Sequence, residues 1–237
     1  KEGEDSQRKA VEALKLIGSR EAQKILAEIA GGSFSADIRL KALEGLSARR
    51  HPGAIPQLIA FCQKGTERQA TEAASLLLRY GREGQERLKS LMRSRRRPTA
   101  LAAARALASV GFKDALEVLK HQSSPRSASG IQALITLAKT GDKDALEKLM
   151  ELLKDGDPRQ RLRGRAALFS VGLAGAPRLM EGLKDPNPLV RAECARILGS
   201  LGVQQAREEI ARLTTDPDET VRAAAVSALA LIRQAGP

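Results

Sequence analysis

This sequence of 237 residues predicts an all-α chain, a right-handed α-solenoid of about seven and a half stacked helix pairs. Three observations carry the prediction. A stretch holding Pro188, Val190-Arg191, Ala195, Leu198 and Gly202 returns as Pro217, Val221-Arg222, Val226 and Leu229, with the Val-Arg pairs 31 residues apart. Turn markers recur at that same period along the chain. The apolar fraction is 42% but aromatics are only 2%, so the core must be built from Ala and Leu, which suits closely spaced helices better than sheets. A period of this length makes one supersecondary unit the building block of the fold.

Each unit reads as a first helix, a short turn and a second helix. The turns are marked by Gly18, Arg50, Gly81, Gly111, Gly141, Gly172, Gly202 and Arg233, at intervals of 30 to 32 residues. Glycine there accepts the left-handed conformation that ends a helix without steric cost. The first helices place apolar residues three apart on one face: Val11 and Leu14, Leu43 and Leu46, Ala74 and Leu77, Ala104 and Leu107, Leu134 and Leu137. The second helices carry a small residue followed four places later by a larger apolar one. Ala22/Leu26, Ala54/Leu58, Gly84/Leu88, Ala115/Leu119, Ala145/Leu149, Gly175/Leu179 and Ala206/Ile210 follow this rule, which lets neighbouring helices approach. Pro98, Pro125, Pro158, Pro188 and Pro217 mark the joints between repeats, where a first helical turn tolerates proline.

The repeats fall at about 6–32, 35–64, 66–93, 98–122, 125–155, 158–185, 188–215 and 218–234, forming one array over 1–237. The last is a first helix alone, 218–233, with Val226, Leu229 and Ile232 intact and no second helix to cover it. Terminal repeats need a polar outer face, so this end predicts a natural chain continuing past Pro237 or a partner docked there. Lys1 is not an initiator methionine, which fits a processed chain or a fragment.

The Pro, Val-Arg, Ala, Leu and Gly positions around 188–202 and 217–229 resemble the short type of HEAT repeat first recognised in phycobilisome lyases. The resemblance covers essentially the whole chain, is strongest over 144–233 and is weakest over 66–112, where the Val-Arg pair is missing. It implies that the Asp and Arg of successive repeats form a stacking ladder. Asp155, Asp185 and Asp216 each lie six residues before Arg161, Arg191 and Arg222, and by resemblance these six are structural.

Chemistry-bearing motifs are sparse. His51 falls in a turn and His121 at the end of a second helix, neither near a cysteine nor in a His-Glu or His-x-x-x-His pair, so no metal site is expected. Deoxyhypusine hydroxylase, built on such repeats, needs repeated His-Glu pairs for iron. The alkylpurine DNA glycosylases of this architecture rely on groove aromatics, and this chain has no Trp. Gly31-Gly32 reads as an inter-repeat turn, not a phosphate loop. No tetrapyrrole pocket is marked, so bilin lyase activity is a remote reading. No catalytic residue and no cofactor are expected. Cys62 and Cys194 sit in apolar helical patterns about four repeats apart, a separation of tens of ångströms at roughly 10 Å per packed helix, beyond a disulfide's reach. Two buried thiols imply a reducing compartment, the cytoplasm. No run approaches the roughly 18 apolar residues of a membrane span, and no signal peptide is visible at Lys1.

The remaining signal is charge, a net +12 from 40 Lys and Arg against 28 Asp and Glu. Half of it comes from Arg79, Arg82, Arg87, Lys89, Arg93, Arg95, Arg96 and Arg97, opposed by Glu83 and Glu86 alone. Arginines at this density grip carboxylates or phosphates bidentately, or else solvate a linker. Arg159, Arg161, Arg163 and Arg165 are spaced by two and so spread around a helix as a solvated face. The second helices expose mixed charges, among them Lys24, Glu86, Arg87, Glu117, Glu147, Lys148, Arg178 and Glu208, whereas a duplex groove would be uniformly positive. The sequence therefore predicts a non-catalytic scaffold binding another protein with an acidic surface. Sequence-independent nucleic-acid or polyanion binding through Arg79–Arg97 is the second reading.

Overall fold

The computed structural model describes residues 2–235; Lys1 and Pro237, the ends at which the sequence raises the question of a longer chain, lie outside them. The described residues form helices and turns with no strand. The α-helices are α1 (Glu2–Ile17), α2 (Arg20–Gly31), α3 (Ala36–Ala48), α4 (Ala54–Lys64), α5 (Glu67–Leu77), α6 (Arg82–Met92), α7 (Arg97–Ala108) and α8 (Lys113–Gln122). They continue as α9 (Ala128–Lys139), α10 (Lys143–Glu151), α11 (Pro158–Val171), α12 (Ala176–Gly182), α13 (Pro188–Ser200), α14 (Arg207–Arg212) and α15 (Glu219–Gln234). The chain divides into two compact units at Val118, within α8. Each unit is a stack of helix pairs in the solenoid manner, odd-numbered helices being the first members and even-numbered ones the second.

Local chemistry starts these helices. Ser19, Ser127, Asp142 and Asp218 each accept a hydrogen bond from a first-turn backbone N–H at 2.9–3.1 Å. Thr66 and Gln69 form a reciprocal capping box ahead of α5. Pro98, Pro158 and Pro188 occupy first helical turns as expected. Pro125 and Pro217 do not: each lies ahead of its helix, because Ser127 and Asp218 are the caps there.

Seven of the eight sequence-marked turns have positive φ: Gly18, Arg50, Gly81, Gly111, Gly141, Gly172 and Gly202. Arg233 does not, since α15 runs on to Gln234. Two of the glycines depart from the left-handed helical region expected of them. Gly81 has φ 61° and ψ −130°, and Gly172 φ 73° and ψ −149°, a part of backbone space closed to side chains with a Cβ.

Among the described residues the core is aliphatic apart from Phe61 of α4. The first-helix pairs Leu43 and Leu46, Ala74 and Leu77, Ala104 and Leu107, and Leu134 and Leu137 are all buried, while Leu14 in the terminal repeat is only half-buried. Every small/large pair of the second helices is buried too. The small member matters most at Gly84, where a Cβ would overlap the carbonyl oxygen of Leu77. Close approach is also visible between first helices, where a Cβ on Gly199 of α13 would lie 2.6 Å from Cα of Ala228 on α15.

Gly84 and Gly175 occupy equivalent places but should respond oppositely to a methyl group. At Gly175 a Cβ finds side-chain carbons of Val171, Leu146 and Leu179 at 3.4, 3.7 and 3.9 Å, ordinary contacts, on a helix-compatible backbone. Gly84→Ala should therefore cost about 1–3 kcal/mol by overpacking, whereas Gly175→Ala should be neutral or stabilising by up to about 1 kcal/mol. Urea unfolding of the two variants measures the contrast.

Both thiols are buried and free. Burial pushes Cys62 up to about 12 and Cys194 likewise to about 12. Neither should react with a thiol-labelling disulfide in native buffer at neutral pH, and both should react in denaturant. Rapid labelling of the native chain would place one of them at the surface.

Candidate partner-binding surface

The basic segment begins at the 3-10 turn after α5 and ends in the first turn of α7, and its charges divide among three settings. Arg79 is exposed and reaches the Glu44 carbonyl at 3.5 Å. On α6, Arg82 and Arg87 are exposed, with Arg87 3.8 Å from Glu83. Lys89 donates to Glu86 at 2.8 Å and lies 5.0 Å over the ring of Phe112. The Lys89 ammonium, aided by the nearby Arg82, holds the Glu86 carboxyl below the usual carboxylate range. Arg82, Glu83, Glu86 and Arg87 rim a cleft of about 630 Å³ between α4 and α6, whose lining includes Ile59 and Leu91.

The third setting is the joint between α6 and α7. Arg93 and Arg95 are exposed and make no side-chain hydrogen bond or ion pair among the described residues. Arg93 caps the C-terminal end of α6, where the helix dipole favours a cation. Arg96 is spoken for: its guanidinium donates to the Gly65 carbonyl at 2.7 Å and to the Thr99 hydroxyl at 3.3 Å. The Thr99 hydroxyl in turn donates to the Cys62 carbonyl at 2.7 Å. Arg96 thus ties its own repeat to the preceding one. Arg97 opens α7 and is exposed.

The aspartates and arginines of the proposed ladder lie in three successive joints. Arg161 donates to the carbonyls of Asp155 and Gly156, Arg191 to those of Asp185 and Pro186, and Arg222 to those of Asp216 and Pro217, all at 2.7–3.0 Å. The carboxylates of Asp155, Asp185 and Asp216 accept the backbone N–H two residues on. Arg191 then grips Asp216 of the next repeat bidentately at 2.9 and 2.8 Å, and the pair is nearly dry. No such pair joins Arg161 to Asp185 among the described residues. A second bidentate link, Arg178 to Glu147 at 2.5 and 3.0 Å, ties α12 to α10 and leaves Arg178 half-buried where the sequence placed it among exposed charges.

Sequence reasoning missed one surface. Leu162 and Phe169 are exposed on α11 at a spacing of seven that puts them on one face, and Leu173 is exposed in the turn after it. The signal was present as Leu162 and Phe169 seven residues apart, the first among the arginines of 159–165, but spacing does not say whether a neighbouring helix covers such residues. Those arginines do diverge, as their spacing by two requires. Arg161 turns into the joint, Arg163 to Gln160, Arg165 to Glu193, and Arg159 is exposed. Among the described residues no cluster of three or more His, Cys, Asp or Glu is arranged to hold a metal, and no helix is long and apolar enough to cross a membrane.

Residues 84–168 and 176–236 match the family model for HEAT repeats. No curated protein matches the sequence. Among solved structures, the chain is similar to human deoxyhypusine hydroxylase in complex with glycerol, at 20% identity over 92% of this chain and 98% of that one, with a TM-score of 0.40. It is similar to the complex of CpcE and CpcF of phycocyanin lyase from Nostoc sp. PCC7120, at 19% identity over 91% and 88% of the two chains, TM-score 0.41. It is also similar to the Kap95:Nup1 complex, at 15% identity over 92% of this chain and 36% of that one, TM-score 0.44.

The Arg191–Asp216 link makes a pH-dependent prediction. The Arg191 guanidinium holds the Asp216 carboxyl below the usual range. Its contribution is complete above the ordinary carboxylate pKa near 4 and is lost as pH falls through the depressed native value. Asp216→Asn should cost about 1–3 kcal/mol at pH 7, and the gap from wild type should shrink in acid. Urea unfolding at both pH values tests it, and a gap that stays constant would contradict it.

Proposed function

This chain belongs to the HEAT-repeat family, and from that starting point we propose that it is a non-catalytic scaffold that docks a protein with an acidic surface through the basic face of α6 and the joint that follows. The observation that carries this reading is the pair Arg93 and Arg95, exposed and without a side-chain partner among the described residues, in the joint that follows α6, whose cleft rim mixes Arg82 and Arg87 with Glu83 and Glu86. A rim of both signs over apolar Ile59 and Leu91 suits a folded protein surface, which offers complementary charges and apolar anchors, better than a uniform polyanion. Two buried thiols fit a reducing, cytoplasmic setting. The chain has neither a His-Glu pair nor a catalytic constellation, which favours scaffold over enzyme.

Sequence-independent polyanion binding is the second reading, favoured by the same two unpaired arginines. The two separate by salt. Each phosphate neutralised on duplex DNA contributes about −0.9 to the log–log salt slope, so Arg93 and Arg95 alone would give about −1.8. The expected outcome is weak, sequence-indifferent DNA binding at low salt, abolished by Arg93→Ser with Arg95→Ser. A photo-crosslinker placed at Arg97 should meanwhile capture a discrete acidic protein that heparin does not displace at moderate salt. Tight DNA binding with a slope near −3.6, the value for four contacts, would establish the polyanion reading instead.

A further inference from the structure

The geometry points to a second docking surface, the open seam between α11 and α13, shaped to receive an acidic amphipathic helix from a protein partner. It goes beyond the reading above and rests on different residues in the other compact unit.

The seam is recognised by comparison with its neighbour. Gly172 and Gly202 end α11 and α13 at matching turns, so Leu162 and Phe169 of α11 correspond to Ala192 and Gly199 of α13. Ala192 and Gly199 are both buried, and Gly199 faces Ala228 so closely that a Cβ would not fit. At the corresponding places on α11, small residues give way to large ones and burial gives way to exposure. Leu162 is 54% exposed and Phe169 47%, and Leu173 beyond them reaches 68%. A shallow groove of about 270 Å³ remains, lined by Leu162, Arg165, Ala166 and Phe169 from α11 and by Ile197 and Ser200 from α13. Exposed apolar residues scattered singly mean little, but Leu162 and Phe169 lining one groove together mark a binding face.

Its occupant follows from shape and charge. Leu162 to Phe169 spans seven residues of α11, about 10 Å of helix axis or two turns, the length over which a partner helix presents anchors at i, i+4 and i+7. The two flanking helices carry six arginines and one acidic residue. That residue, Glu193, is already held by Arg196 at 2.9 Å and Arg165 at 3.4 Å. Arg159 and Arg163 on the far side of the stripe have no acidic partner among the described residues. The rim is therefore positive, and a helix carrying carboxylates beside its apolar anchors complements it.

A labelled synthetic helix of about 18 residues, with Leu at core-facing positions and Glu elsewhere, is the probe. Fluorescence anisotropy with the full chain should show saturable binding that weakens as salt rises. Leu162→Ser with Phe169→Ser should reduce affinity at least about tenfold. Arg159→Glu with Arg163→Glu should do likewise, with thermal unfolding little changed because Arg159 is exposed and Arg163 loses only a bond to Gln160 on the same helix. Arg93→Ser with Arg95→Ser should leave peptide binding intact, which separates this surface from the one proposed above. A version of the peptide with Lys for Glu should fail to bind. Equal binding of the Lys peptide, no binding of the Glu peptide, or dependence on Arg93 and Arg95 would each overturn the proposal. So would a concentration-dependent dimer dissolved by the Leu162→Ser and Phe169→Ser changes, or binding to anionic vesicles in place of the peptide.

Discussion

Everything in this chain depends on how closely the second helix of a pair can sit against the first. The backbone at Gly84 and the buried methyl groups of Ala22, Ala54, Ala115, Ala145 and Ala206 set that distance. With the helices that close, leucines four residues further along fill the interface without aromatic bulk. A chain with 2% aromatics can therefore bury a largely aliphatic core in each compact unit. The period of about 31 residues is the length needed for two such helices and two tight turns.

The joints are the second half of the construction. A helix that ends after three turns leaves carbonyls without partners, and the next helix begins too soon for water to serve them all. Arg161, Arg191 and Arg222 fill this role by donating to two joint carbonyls each, while the neighbouring aspartates accept backbone N–H groups. Arg96 does the same across a repeat boundary. Much of the net positive charge is thus spent on main-chain oxygens, and only some of it is left to attract a partner.

Fold and period were legible because they rest on local chemistry. Turn glycines, capping side chains and apolar spacing act within a few residues, and the positive φ at Gly18 through Gly202 follows from them. The candidate site was legible only as a composition. The eight basic residues of 79–97 were visible in the sequence, but Arg96 and Arg93 look alike there, and only the fold shows one holding Gly65 and the other with no side-chain partner among the described residues. The α11 seam was hidden for the same reason. Whether Phe169 is core or surface depends on the spacing of α11 and α13, which no residue of α11 encodes alone. Pro125 and Pro217 missed their helices because Ser127 and Asp218, better caps, took the boundary.

The turn residues also set how freely the repeats can diverge in sequence. Arg50 shows that a joint with φ 53° accepts an ordinary side chain, so mutation can drift through that position. Gly81 and Gly172 sit where only glycine is comfortable. Any change in the first two bases of a glycine codon replaces the residue, so at those two joints most codon changes are harmful. Two turns that look interchangeable in a repeat alignment therefore carry different mutational loads, and a library that randomised all seven alike would lose clones at the glycine joints, Gly18 among them where a Cβ would overlap the Arg49 guanidinium, sooner than at Arg50.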